Sequence, residues 1–181
     1  MRDDVPSLRT VPIVHAIERT FAAGCSRDGF RLVHYSLQGN HAHLVVEAQD
    51  RDALGRGMKA IAARLALAVN RIANRAGRVL ADRYHVRMLR TPNEVRNALR
   101  YVLLNARRHA ASTRAAASKS VRLDPASSAE WFDGWKWIPP VTGNGRARSP
   151  SDWRPVARAR TWLLAVGWRR RGLLDPADVP G

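Results

Sequence analysis

The sequence predicts an α+β fold, an antiparallel sheet with helices on one face, followed by a tryptophan-rich, helical C-terminal appendage. Three observations predict it. Apolar residues recur at helical spacing in separate segments, two β-rich runs flank a single glycine, and all six tryptophans fall between Trp131 and Trp168.

Taken in order, Val11, Val14, Ile17 and Phe21 define a first helix over Val11 to Cys25, with Gly24 near its end as a stop. The runs Gly29 to Gln38 and Asn40 to Ala48 read as two strands of a hairpin around Gly39. A long amphipathic helix follows over Arg51 to Ala76. Leu54, Met58, Ile61, Leu65, Val69 and Ile72 form its apolar stripe, arginines its outer surface, and Gly77 is a C-cap candidate. Arg83 to Leu89 has the residue types of a further strand. The next helix is announced by Thr91-Pro92-Asn93-Glu94: an N-cap threonine, a proline at the first helical position and a glutamate closing a capping box, with the helix running to about His109.

Helix, hairpin, helix, strand, helix is the order of a ferredoxin-like (split βαβ) arrangement whose first strand is not visible. The chain divides into a main domain at 1–110, a basic Ala/Ser-rich linker at 111–123, and a tryptophan-rich extension at 124–181. The extension contains a Pro/Gly/Arg loop near Pro139 to Pro150 and a predicted helix over Arg154 to Arg171. Its Trp and aliphatic residues at helical spacing (Trp162, Leu163, Val166) point to packing on the main domain in preference to a DNA-contacting arm.

The 181 residues carry 31 Lys+Arg against 15 Asp+Glu, a net charge of +16, and 28 of the basic residues are arginine. The excess is central: residues 51–94 hold 10 basic and 3 acidic residues, and residues 95–123 hold 7 and none. Such clustering attracts polyanions, so nucleic acid is the leading partner. The single cysteine, Cys25, excludes a disulfide framework. No apolar run approaches the ~20 residues of a bilayer span, and the acidic N-terminus is unlike a signal peptide, so the expected location is cytoplasmic and nucleoid-associated, with no membrane partner.

The strand containing Asn40-His41-Ala42-His43 aims His41 and His43 to one side, because strand side chains alternate with period two. A His-x-His pair can offer two ligands to a divalent ion, or it can be two ordinary half-exposed histidines. Glu47 shares that face but lies roughly 13 Å along the strand from His43, and reads as solvent-facing. On the capped helix, Tyr101 and Asn105 are four apart on one face. A tyrosine becomes a competent nucleophile only with a cation or base close by, and an amide oxygen one turn on can join that cation's ligands; the plain alternative is a core tyrosine and a surface asparagine. His15, His34, His85 and His109 have no partner spacing.

GNHAHLVVE, then RYHVR, then a capped helix carrying YVLLN and RRH resemble the single-tyrosine HUH transposases, particularly the REP-associated tyrosine transposase branch with its IS200-like domain. The resemblance covers roughly residues 7–110, and the order and spacing of the motifs are more specific than any one of them. It implies a metal-dependent single-stranded DNA endonuclease and strand transferase that forms a 5′-phosphotyrosine. Tyr101 matches the nucleophile, and His41, His43 and Asn105 match the ligands of Mg²⁺ or Mn²⁺. Asn40 also matches, whereas the family's common Asn-Pro-Val-Arg is here Asn105-Ala106-Arg107-Arg108. The implied partner is single-stranded or hairpin DNA, bound by a monomer or homodimer, with Arg83, Tyr84, Arg87, Arg96, Arg100, Arg107 and Arg108 as candidate DNA contacts. Tyr84 is a competing nucleophile that lacks an Asn or Gln four residues on. A second reading is a domesticated or inactive DNA-binding protein that keeps the fold.

A ferredoxin-like sheet needs a strand before its first helix, and Arg2, Asp3, Asp4 and Pro6 break the alternation such a strand requires. The expectation is therefore that the true reading frame starts upstream of Met1 and includes a β-rich run.

Overall fold

The computed structural model describes residues 1–112, 121–139 and 154–179, with side chains of the first span described to Asn105. Most of the expected linker, the Pro139 to Pro150 loop beyond Pro139, and Trp153 lie outside the described residues.

Helix α1 (Val11–Ala22) has Pro12 in its first turn, where the missing N–H costs no hydrogen bond. It buries Ile13, Ile17 and Phe21 at i, i+4 spacing, whereas Val11, expected on the apolar stripe, is exposed. A short strand β1 (Ser26–Arg27), not anticipated from the sequence, pairs antiparallel with β2 (Phe30–Leu37), which pairs antiparallel with β3 (Ala42–Ala48). Helix α2 (Arg51–Ile72) starts at Asp50, whose Oδ1 accepts the Ala53 N–H at 2.6 Å. Its end comes before the expected Gly77: Asn74 takes the left-handed conformation at φ 46°, which asparagine tolerates, and Gly77 takes a positive φ in the following turn.

The register carries one irregularity that matters for the core. Leu32 stands opposite Val46 and His34 opposite Val45, so Val33 is an extra residue in β2. The bulge sends Phe30, Leu32, Tyr35 and Leu37 to one core, with α1 and α2, and Val33 to a second. That second core is built by Val33 and Val45 with helix α3 (Pro92–Ser112) and the C-terminal segment. Helices therefore cover both faces of the sheet, correcting the expectation of one face. The reason is compositional: Val45 and the α3 residues Val95, Leu99, Val102 and Leu103 need apolar partners, and Phe132, Trp135, Trp168 and Leu174 supply them. Full burial of each such side chain contributes roughly 1.5–3 kcal/mol.

Two further expectations are corrected. Arg83 to Leu89 forms no strand: a strand requires a ladder partner, and the described sheet is β1-β2-β3 with β3 at its end. Its alternating Tyr84, Val86 and Met88 stay exposed. Arg154 to Arg171 is not one helix. Residues 154–161 form neither helix nor strand, Ala157 donates its N–H to the Leu32 carbonyl at 2.8 Å, and only α4 (Trp162–Ala165) and a 3₁₀ turn (Gly167–Arg171) are helical. Pro155, Thr161 and Gly167 interrupt the pattern, and backbone bonding to β2 wins over helix formation.

The start of the chain is tied down. Arg9 donates to both oxygens of buried Asp124 at 2.7 and 2.9 Å, a bidentate pair joining the segment before α1 to the start of the C-terminal extension. No described helix is long and apolar enough to cross a membrane.

Candidate nucleophile and histidine site

The capping box forms as its sequence implies. Glu94 N–H donates to Thr91 Oγ1 at 3.2 Å, and Glu94 Oε2 accepts from the backbone N–H of Thr91 at 3.0 Å and of Arg90 at 2.8 Å. These hydrogen bonds hold the Glu94 carboxyl below the usual carboxylate range. A fixed helix start fixes the phase of α3: Leu99, Val102 and Leu103 point into the second core, and Tyr101 lies half-buried on the face towards β3.

His43 on β3 and His41, just before that strand, meet it there. His41 Nε2 and His43 Nε2 are 3.2 Å apart, and Tyr101 Oη is 3.5 Å from His43 Nε2. The rings follow the same chain, with centroids 4.8 Å apart for His41 and His43 and 5.0 Å for His43 and Tyr101, both edge-on. Asn40 Oδ1 lies 2.8 Å from His41 Nδ1. A carbonyl oxygen only accepts, so this contact puts the proton on Nδ1 and leaves the Nε2 lone pair of His41 directed at His43.

One turn beyond Tyr101, Asn105 is 1 % exposed, and both its Oδ1 and Nδ2 lack a hydrogen-bond partner among the described residues. A buried amide left unpaired costs on the order of 1–3 kcal/mol per group, so this position carries an energetic cost that packing does not explain. Imidazole nitrogens and an amide oxygen are donor types that suit a divalent ion. Two nitrogens at 3.2 Å are close to the roughly 3.0 Å that separates neighbouring ligands of an octahedral ion with ~2.1 Å bonds. No group of three or more His, Cys, Asp or Glu gathers among the described residues.

No protein-family model, curated protein or solved structure matches this chain.

Of the chain's three tyrosines, Tyr35 is fully buried and donates its hydroxyl to Glu18 Oε1 at 3.0 Å. Burial and the Glu18 carboxylate push it well above the usual tyrosine range. Tyr84 is 46 % exposed and makes no hydrogen bond among the described residues. Of the three, only Tyr101 has its hydroxyl beside a histidine.

The candidate DNA contacts separate into groups. Arg83 and Arg87 are exposed in the irregular segment before α3. Arg96 donates to the carbonyls of Gly172 and Leu173, each at 3.4 Å, and Arg100 bonds the Val179 carbonyl at 3.0 Å and pairs with Asp178 at 3.3 Å. The C-terminal segment thus engages both arginines. The side chains of Arg107 and Arg108, and that of His109, lie outside the described residues.

Glu47 is a correction. Rather than facing solvent it is 7 % exposed, accepts the N–H groups of Arg160 and Thr161 and the Thr161 hydroxyl at 2.7–3.0 Å, and lies 3.7 Å from Arg31. Its parity with His41, His43 and buried Val45 was the signal, since that face is covered. His34, which had no partner spacing, is buried beside Ser128 Oγ at 3.1 Å and packs edge-on against Phe132. Burial lowers its pKa to about 4, partly opposed by Asp133.

Proposed function

We propose that this chain is a metal-dependent single-stranded DNA endonuclease and strand transferase of the HUH type, with Tyr101 as nucleophile. One observation carries the reading: the Tyr101 hydroxyl lies 3.5 Å from His43 Nε2, itself 3.2 Å from His41 Nε2, so nucleophile and ligand pair converge from a helix and a strand. The orphaned amide of Asn105 supplies a third donor on the tyrosine's own helix.

His41, His43 and Asn105 would hold Mg²⁺ or Mn²⁺, which when bound neutralises charge developing on the attacked phosphate. Asn40 fixes the His41 tautomer, and the capping box with the core residues Leu99 and Leu103 fixes the height and phase of Tyr101. Tyr101 Oη adds to phosphorus as the P–O3′ bond breaks. The phenolic proton leaves to water and the departing 3′ oxygen gains one, giving a 5′-phosphotyrosine and a free 3′-hydroxyl. The reverse step rejoins strands with no external energy source. The central excess of basic residues along the chain favours DNA over a small substrate.

Incubation with single-stranded DNA and Mn²⁺ should yield a covalent adduct that survives a denaturing gel and is absent with EDTA and in Tyr101→Phe. Tight DNA binding with no adduct under any of these conditions would favour the non-cutting DNA-binding protein instead.

A further inference from the structure

From Arg154 to Leu174 the chain holds six arginines and no acidic residue. Arg169 is paired with Asp133 at 2.6 Å. The side chains of Arg154, Arg158, Arg160 and Arg171 make no ion pair or hydrogen bond among the described residues, and all four are exposed. The arginine that remains, Arg170, sits over the indole of Trp162 at 5.2 Å from the ring centroid.

Trp162 is the anomaly in this segment. The neighbouring Trp168 is 1 % exposed and Trp135 is 7 %, yet Trp162 presents half its surface to solvent. It is nonetheless held in place. A side chain at Gly167 would collide with the indole's six-membered ring, so the absent Cβ is what lets the ring lie close against the backbone of the turn. The residue before it, Thr161, is bolted by its N–H and hydroxyl to Glu47 on the histidine strand. The turn after it is tied through the Gly172 carbonyl to Arg96 on the nucleophile's helix.

An exposed indole held in place under Arg170, in a segment whose other exposed arginines have no side-chain partner among the described residues, is a surface for a polyanion that also offers flat aromatic rings. We infer that Trp162, with Arg158, Arg160 and Arg170, forms a stacking platform for a base of single-stranded DNA, whose phosphates the arginines contact. Duplex DNA fits it poorly because its bases are already stacked on one another and unavailable to the indole. The inference rests on the proposed function for the identity of its partner, and extends it: the strand held at Tyr101 continues onto a platform anchored to the same two elements that carry the site.

The test is fluorescence anisotropy with the full chain and a 5′-fluorescein 20-mer of oligothymidine in EDTA, where no cleavage chemistry runs. Trp162→Ala should weaken binding about tenfold, Trp162→Phe should recover most of the loss, and Trp137→Ala, at another exposed tryptophan, should change affinity less than twofold. An abasic 20-mer should bind the native chain about as weakly as oligothymidine binds Trp162→Ala, and should not distinguish the two proteins. Unchanged affinity in Trp162→Ala, with its thermal midpoint equal to that of the native chain, overturns the platform, as does an equal loss against the abasic strand. Failure of the catalytic reading shows separately, as an absent adduct in Mn²⁺ with the Trp162 effect intact.

Discussion

Glu47 and Thr161 are 114 residues apart in sequence and joined by two hydrogen bonds to one carboxylate oxygen: Glu47 Oε1 accepts the Thr161 N–H at 2.8 Å and the Thr161 hydroxyl at 2.7 Å. This clasp attaches the C-terminal segment to the strand that carries His43. Glu47→Ala should therefore destabilise the fold by about 2–3 kcal/mol, since hydrogen bonds to a buried charged group are the strong class. Thermal unfolding would show it as a fall of several degrees, and Thr161→Val should reproduce only part of it, because the backbone donors remain.

Asn105 offers a sharper separation of stability from function. Replacing a buried amide that has no partner among the described residues with a similarly sized apolar group removes a desolvation cost. Asn105→Leu should leave the metal-free protein as stable or about 1 kcal/mol more stable in urea unfolding, while abolishing Mn²⁺-dependent adduct formation. Destabilisation with full activity would return Asn105 to an ordinary core role.

His34 sets a pH dependence. Its folded pKa lies near 4 because burial disfavours the imidazolium, against 6.5 for an unperturbed imidazole. Between these values the unfolded chain binds a proton that the folded chain refuses. Its contribution to stability is therefore present above pH 6.5 and is lost as pH falls towards 4, by up to about 3 kcal/mol. Urea denaturation of the native protein and of His34→Gln at pH 7, 5.5 and 4.5 isolates the effect: the variant's stability should fall less steeply over that range.

Gly57, inside α2, is where Phe30 crosses the helix, and an added Cβ would meet the phenyl ring. Gly57→Ala raises helix propensity by ~1 kcal/mol but overpacks this contact, at a typical cost of about 1–3 kcal/mol. The net expectation is destabilisation by chemical denaturation, whereas Gly55→Ala, where the added Cβ meets nothing, should be neutral or stabilising.

What was legible in the sequence was what neighbours in sequence decide. The Thr91 and Glu94 box starts α3, the Asp50 cap starts α2, and strand parity puts His41 and His43 together without reference to any distant residue. The segment at 83–89 misled because alternation expresses strand propensity while strand formation needs a partner, and the described sheet places none beside it. Glu47 misled for the complementary reason: its donors, the backbone N–H groups of Arg160 and Thr161, carry no side-chain signature. The same holds for Arg154 to Arg171, whose apolar spacing resembled a helix until backbone bonding to β2 decided otherwise. At the site, the spacing of Tyr101 and Asn105 was visible, but the burial of the Asn105 amide without a partner among the described residues belongs to the packed core alone.

The most direct test of the central claim is to locate the DNA on the chain. Tyr35 is buried, so Tyr84 and Tyr101 are the accessible tyrosines, and trypsin separates them into the peptides Tyr84 to Arg87 and Tyr101 to Arg107. After reaction with single-stranded DNA and Mn²⁺, nuclease trimming, tryptic digestion and mass spectrometry should find a nucleotide phosphate on the peptide Tyr101 to Arg107. The same modification on Tyr84 to Arg87, or its persistence in Tyr101→Phe, would contradict the account.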